Sequence, residues 1–183
     1  VAWRNNTFSL HVHVGVNGAD RAIAVCDRLR ELLPELLTIS ASSPFVDGRD
    51  SGLASARTQL FTRMFPRCGI PEPFGDWRGY ADFIEFLKDT NSVIESTQLW
   101  WSVRPHHSYG TVEVRVCDAQ PTAEGSSALA GLIVACVAQA RQTCVSFSRS
   151  GVFSQTRASY GGGVGARRAR RSDMALRLLV VVP

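Results

Sequence analysis

Two short stretches carry side chains able to do chemistry together: HVHVGV at 11–16 and TVEVRV at 111–116. Strand side chains alternate between faces, so His11 and His13 share one face, as do Glu113 and Arg115. Val12, Val14 and Val16, and likewise Val112, Val114 and Val116, then form buried backs. If both strands lie in one sheet, its front carries two imidazoles, a carboxylate and a guanidinium, and Arg104 at the end of the preceding strand can join them. A carboxylate with an imidazole can hold a divalent cation, and guanidinium groups neutralise phosphate oxygens. A metal bridging phosphates beside arginines serves phosphoryl transfer, where the task is positioning and charge neutralisation. Magnesium wants more oxygen ligands than Glu113 alone supplies. Each pattern also has an ordinary reading. Two histidines can sit on a half-exposed sheet surface, and Glu113-x-Arg115 can be a cross-strand charge pair.

The elements that must position these groups follow from periodicity. Residues 7–16 read as a strand. Asn17 with Asp20 resembles a helix-capping pair, and Ile23, Cys26, Leu29 and Leu33 follow at helical spacing, with Pro34 interrupting that helix or starting the next. The Gly, Asp and Ser content of 44–52 predicts a loop, 53–65 a helix, 66–75 a second loop and 79–89 a short amphipathic helix. Residues 96–105 and 110–118 read as two strands of a hairpin. A helix over 124–144 follows, with Leu129, Leu132, Ile133, Cys136, Val137 and Ala140 as its apolar stripe. The pattern predicts an α+β fold: an antiparallel sheet with helices packed on one face.

Composition bounds the rest. A chain of 183 residues, 45% hydrophobic, is long enough for one sizeable core. Its five cysteines, Cys26, Cys68, Cys117, Cys136 and Cys144, are odd in number, widely spaced and without a C-x-x-C pair, which points to reduced thiols and a cytoplasmic protein. No run of about 20 consecutive apolar residues is present for a membrane span, and no secretory signal is expected from the start of the chain. The net charge of +4 is unevenly distributed. Residues 1–146 hold 13 Lys and Arg against 15 Asp and Glu, whereas 147–183 hold seven Arg against one Asp. The Arg/Gly-rich segment 147–183 also loses the periodicity seen before it. It is expected to be disordered or foreign to a domain spanning 1–146. A nucleic-acid role would rest on GARRARR at 165–171 alone, without interleaved aromatics, and is not expected.

Taken with LHVHVGV, the segments SASSPFVDGRDSGLASARTQLFTRMFPRCGIPEPFG and RPHHSYGTVEVRVCDAQPT resemble, over residues 7–140, the type-2 glutamate–cysteine ligases, specifically the YbdK-like carboxylate-amine ligases. More distantly, VEVRVCDAQPT and the small-residue helix after it resemble the IEVR strand and helix of glutamine synthetases. The resemblance implies a glutamine synthetase-like catalytic domain, here partial, that uses ATP and magnesium. Glutamate's γ-carboxylate would be phosphorylated to an acyl phosphate, which the amine of cysteine, or of another amino acid, would attack. By motif position, His11 and Glu113 would be magnesium ligands and His13 would lie near the nucleotide. Arg104 and Arg115 would contact phosphates or the acyl phosphate, and Arg49 and Arg57 the substrate carboxylate or phosphates. For Arg57 a helix cap or salt bridge, and for Arg49 with Asp50 a loop-internal pair, are alternatives. Members of the family begin with a G-x-E-x-E-like strand of metal-binding glutamates. None precedes residue 7 here, so the chain alone is expected to be inactive. The alternative is a non-catalytic nucleotide- or ligand-binding remnant of the same fold.

Overall fold

The computed structural model describes residues 7–65, 67–150 and 179–181, and side chains as far as residue 142. Strand β1 (His11–Gly15) leads into helix α1 (Ala19–Leu29), a 3-10 turn and α2 (Leu33–Ser40). A small hairpin follows, β2 (Phe45–Val46) and β3 (Arg49–Asp50), then α3 (Ala56–Met64) and α4 (Trp77–Asp89). Strands β4 (Val103–His106) and β5 (Thr111–Val114), helix α5 (Ala123–Ser150) and β6 (Leu179–Val181) complete the described elements. The main sheet has the order β4-β5-β1-β6. β5 pairs antiparallel with β1 and with β4, and β6 antiparallel with β1.

The valine alternation decides which face is covered. Val12, Val14, Val103, Val112 and Val114 are almost fully buried and pack with Val25, Cys26 and Leu29 of α1, Leu33 and Leu36 of α2, and Leu129, Ile133 and Val137 of α5. Burying these side chains removes apolar surface from water, at about 25 cal/mol per Å². The expected α+β layering is present, with helices stacked on the valine face. A second apolar cluster joins Ile23 of α1 to Tyr80, Ile84 and Leu87 of α4 and to Leu99 and Trp101.

Several expectations are corrected. The N-cap of α1 is Gly18, at φ 98°, and not Asn17. Asp20 instead accepts from the backbone N–H of Trp77 and ties α1 to the start of α4. Pro34 sits in the first turn of α2, where its missing N–H costs nothing. The strand expected over 96–105 is confined to Val103–His106, because Ser96–Gln98 closes a 3-10 turn through a Glu95/Gln98 capping box. The segment 44–52 is a hairpin and not an irregular loop: Asp47 and Gly48, both at positive φ, make its two-residue turn. α5 extends to Ser150. By length and composition Ala123–Gln142 could cross a bilayer. Leu129, Ala130, Ile133, Val137 and Ala140 of this helix are buried in the core, whereas Leu132, expected in the same stripe, is 42% exposed. Of the segment 147–183, residues 151–178, 182 and 183 lie outside the described residues. Residues 147–150 continue α5, and Leu179–Val181 pair with β1.

Candidate functional site

Register places the chemistry. Glu113 pairs with His13 of β1 on one side and with Arg104 of β4 on the other, so the three stand in one row across the sheet, on the face opposite the valines. His11 lies one pleat along β1, and Arg115 follows directly after β5. The front face is not wet: Glu113 is 2% exposed, His13 4% and Arg104 8%.

The Glu113 carboxylate is the centre. Its Oε2 accepts from Arg104 Nε at 2.7 Å and its Oε1 from Arg115 Nη1 at 2.6 Å. His11 Nδ1 and His13 Nε2 both stand 3.5 Å from Oε1. Arg104 is held further by the carbonyls of Thr97 and Leu99. Burial alone would raise the Glu113 pKa, but Arg115 and Arg104 outweigh it and hold the carboxyl at about 2. His11 is pushed down to about 3 by burial and then by Arg115, against the pull of Glu113. His13 is lowered by burial, again against Glu113. Both imidazoles are therefore neutral at pH 7.

Neutral imidazoles beside a carboxylate are metal donors if their lone pairs face it. The far nitrogens are taken: His11 Nε2 pairs with Ser9 Oγ at 2.8 Å and His13 Nδ1 with Thr111 Oγ1 at 3.0 Å. Where those hydroxyls accept from the rings, the near lone pairs face Glu113, the arrangement of metal-bound histidines; where they donate, the near N–H groups face the carboxylate instead. At 3.5 Å the near nitrogens are beyond ordinary hydrogen-bond distance from Oε1. The donor set thus fits a divalent cation. Among the described residues, however, no group of three or more His, Cys, Asp or Glu is set to hold a metal by itself.

Arg57 and Arg49 part company. Arg57, in the first turn of α3, is buried and donates to the carbonyls of Arg115 and Val116, and pairs with Asp118 at 3.7 Å. It neither caps nor salt-bridges its own helix. Its Nε has no hydrogen-bond partner among the described residues. Arg49 is exposed on β3 and is not brought to Glu113; Asp50 accepts from the Gly52 N–H. Between the β2–β3 hairpin and α3 lies a cleft of about 420 Å³, lined by Ser42, Ser43, Phe45, Arg57 and Asp118 among others.

Asp118 was not singled out from sequence, where it is a lone acid after a valine run. It is 1% exposed, and accepts from Ser42 N at 2.9 Å, Ser43 Oγ at 2.8 Å and Ser55 Oγ at 3.1 Å. One carboxylate thus fastens the chain just after β5 to the cleft wall. Asp118→Ala would strand a buried guanidinium and several donors, and is expected to lower stability by about 3 kcal/mol. Denaturant unfolding checks this, with amide exchange rising first across 42–57. His106 and Tyr109 were also missed. Their rings stack at 4.5 Å beside His13, a contact that depends on the β4–β5 turn.

The site is thus a sheet-borne carboxylate flanked by two guanidiniums and two imidazoles. The sequence profile of glutamate-cysteine ligase family 2 matches residues 1–151. A glutamate–cysteine ligase of Haloferax volcanii is 46% identical over 121 residues, covering 66% of this chain and 34% of that protein. One of Haloquadratum walsbyi is 46% identical over 117 residues, 64% of this chain and 32% of that protein. A Rubrobacter xylanophilus protein with the provisional name glutamate–cysteine ligase 2-2 is 42% identical over 132 residues, 72% of this chain and 34% of that protein. The chain belongs to glutamate–cysteine ligase family 2. It spans about a third of the length of the curated relatives it matches.

Proposed function

We propose that this chain carries the phosphate- and metal-binding face of an ATP-dependent glutamate–cysteine ligase with a glutamine synthetase-like catalytic fold, acting in the cytoplasm. The observation that carries the reading is the Arg104–Glu113–His13 row with Arg115 and His11 closing on the same carboxylate. His11 and Glu113 would hold magnesium, with the remaining oxygen ligands coming from phosphate, water and groups beyond the described residues. His13 would lie beside the nucleotide. ATP with magnesium supplies the phosphoryl group that turns glutamate's γ-carboxylate into an acyl phosphate, which the amine of cysteine or a related amino acid attacks with loss of phosphate.

The chain's own residues do the positioning. Arg104, pinned by two carbonyls, presents its remaining donors to a phosphate oxygen; Arg115 neutralises charge that builds on the transferring group. Arg57 and Arg49 are the proposed contacts for substrate carboxylates, Arg57 from the wall of the 420 Å³ cleft. Among the described residues, Glu113 is the carboxylate this cluster offers, fewer than magnesium requires. The 183-residue chain is accordingly proposed to bind nucleotide without turning it over.

Equilibrium titration with Mg-ADP, run beside a γ-glutamylcysteine assay, tests this. Expected are binding that weakens at least tenfold in Arg104→Met, and no product. Failure to bind Mg-ADP at millimolar concentration would sink the nucleotide reading. Phosphate release from ATP that depends on glutamate plus a second amino acid would overturn the inactivity.

A further inference from the structure

Glu113 is oversubscribed, and its two guanidinium partners are held differently. Arg104 is anchored three ways, by Glu113 and the Thr97 and Leu99 carbonyls. Among the described residues, the Arg115 side chain is held by one contact, Nη1 on Oε1. Oε1 is also the atom that faces both imidazole nitrogens, and so the place where a cation would sit. A cation and a guanidinium cannot share it, because like charges a few Å apart in a buried site repel strongly.

We propose that Arg115 and a divalent cation compete for Glu113 Oε1 and that Arg115 moves to a phosphate oxygen when cation and polyphosphate bind together, so that each of the two binds strongly only with the other. This rests on the metal–phosphate reading above. The charges require it. Arg104 and Arg115 against Glu113 leave one surplus positive charge in a largely buried group. A cation alone adds two more and expels Arg115 with no acceptor to receive it. A polyphosphate alone finds Arg115 already committed to Glu113. With both present, the cation takes Oε1 and the released guanidinium takes a phosphate oxygen, bidentately where geometry allows. No bond is made or broken; the exchange is one of ion pairs, and the coupling is reciprocal.

The test uses the 183-residue chain, Mn²⁺ as the cation and inorganic tripolyphosphate as the anion, with free Mn²⁺ read by electron paramagnetic resonance. In the unsubstituted chain, tripolyphosphate should tighten Mn²⁺ binding at least tenfold beyond what Mn²⁺–tripolyphosphate association in buffer accounts for. Arg115→Met keeps the Arg104–Glu113 pair, and should bind Mn²⁺ alone at least tenfold more tightly while losing most of that tightening. Arg115→Lys, which keeps the charge, should bind Mn²⁺ alone as weakly as the unsubstituted chain. Circular dichroism verifies the fold, and Arg115→Gln replaces any Met variant that fails it. Mn²⁺ binding no tighter in Arg115→Met, or equally tight in Arg115→Lys, would overturn the exchange while leaving the site reading in place. If no protein binds Mn²⁺ with or without tripolyphosphate, both fall.

Discussion

Glu113→Ala is expected to destabilise the chain by about 3–5 kcal/mol, because it leaves Arg104 and Arg115 buried without their shared counter-charge. Arg104 is 8% exposed and cannot turn to water without breaking its bonds to the Thr97 and Leu99 carbonyls. Stabilities of native domains are of order 5–15 kcal/mol, so such a loss removes a large share of the whole. Urea unfolding followed by circular dichroism measures it directly. A change below about 1 kcal/mol would mean that the pair is solvated in solution and that the row is not buried as described above. Arg115→Met should cost much less, since Glu113 then keeps Arg104. The contrast between the two substitutions separates the anchored guanidinium from the exchangeable one.

Stability is expected to fall steadily as pH drops from about 6.5 towards 3. His11 has a folded pKa of about 3 against an ordinary 6.5, so below 6.5 the unfolded chain binds a proton that the native site refuses. His13 and His106 are lowered by burial in the same direction. A base whose folded pKa is depressed stabilises the native state above its unfolded pKa, and that contribution is lost on acidification, at up to about 1.4 kcal/mol per pH unit for each histidine. Glu113 adds to the loss lower down. Its carboxyl is held at about 2 in the folded state against an ordinary 4.5, so its contribution is complete above 4.5 and disappears between 4.5 and 2. Unfolding free energies at a series of pH values provide the check. His11→Asn should flatten the slope between 6.5 and 4. An unchanged slope would mean that His11 is protonated in the native chain, and would remove it as a metal donor.

Both expectations depend on burial that no residue pattern announces. Alternation in HVHV and TVEVRV correctly separated valine back from polar front, since period two is a property of any strand and the valines had one face to cover. The stripe on α5 was legible for the same reason. Asn17 failed as a cap because Gly18, at positive φ, takes the turn and frees Asp20 to bind α4. Asp47-Gly48 was a readable hairpin signal submerged in a Gly, Asp and Ser-rich segment. Strand alternation put His11 and His13, and Glu113 and Arg115, on shared faces with Arg104 able to join them, the family resemblance gave them roles, and the sheet brings all five together. The resemblance implies a substrate role for Arg57, and only the structure shows that it also clamps the carbonyls of Arg115 and Val116.

By itself the sequence determined which side chains could point the same way, because strand and helix periods are local and need no partner. It also determined the family, through several motifs in order. Only the tertiary structure decided that Glu113 pairs with both His13 and Arg104, that Asp118 fastens the strand end to the cleft wall, and that the polar face is dry. These depend on register between strands far apart in the chain; His13 and Thr111, which share a hydrogen bond, are 98 positions apart. A one-residue slip would turn every side chain to the other face. The valine core on the opposite face fixes that register, and with it the charge balance from which the site's behaviour follows.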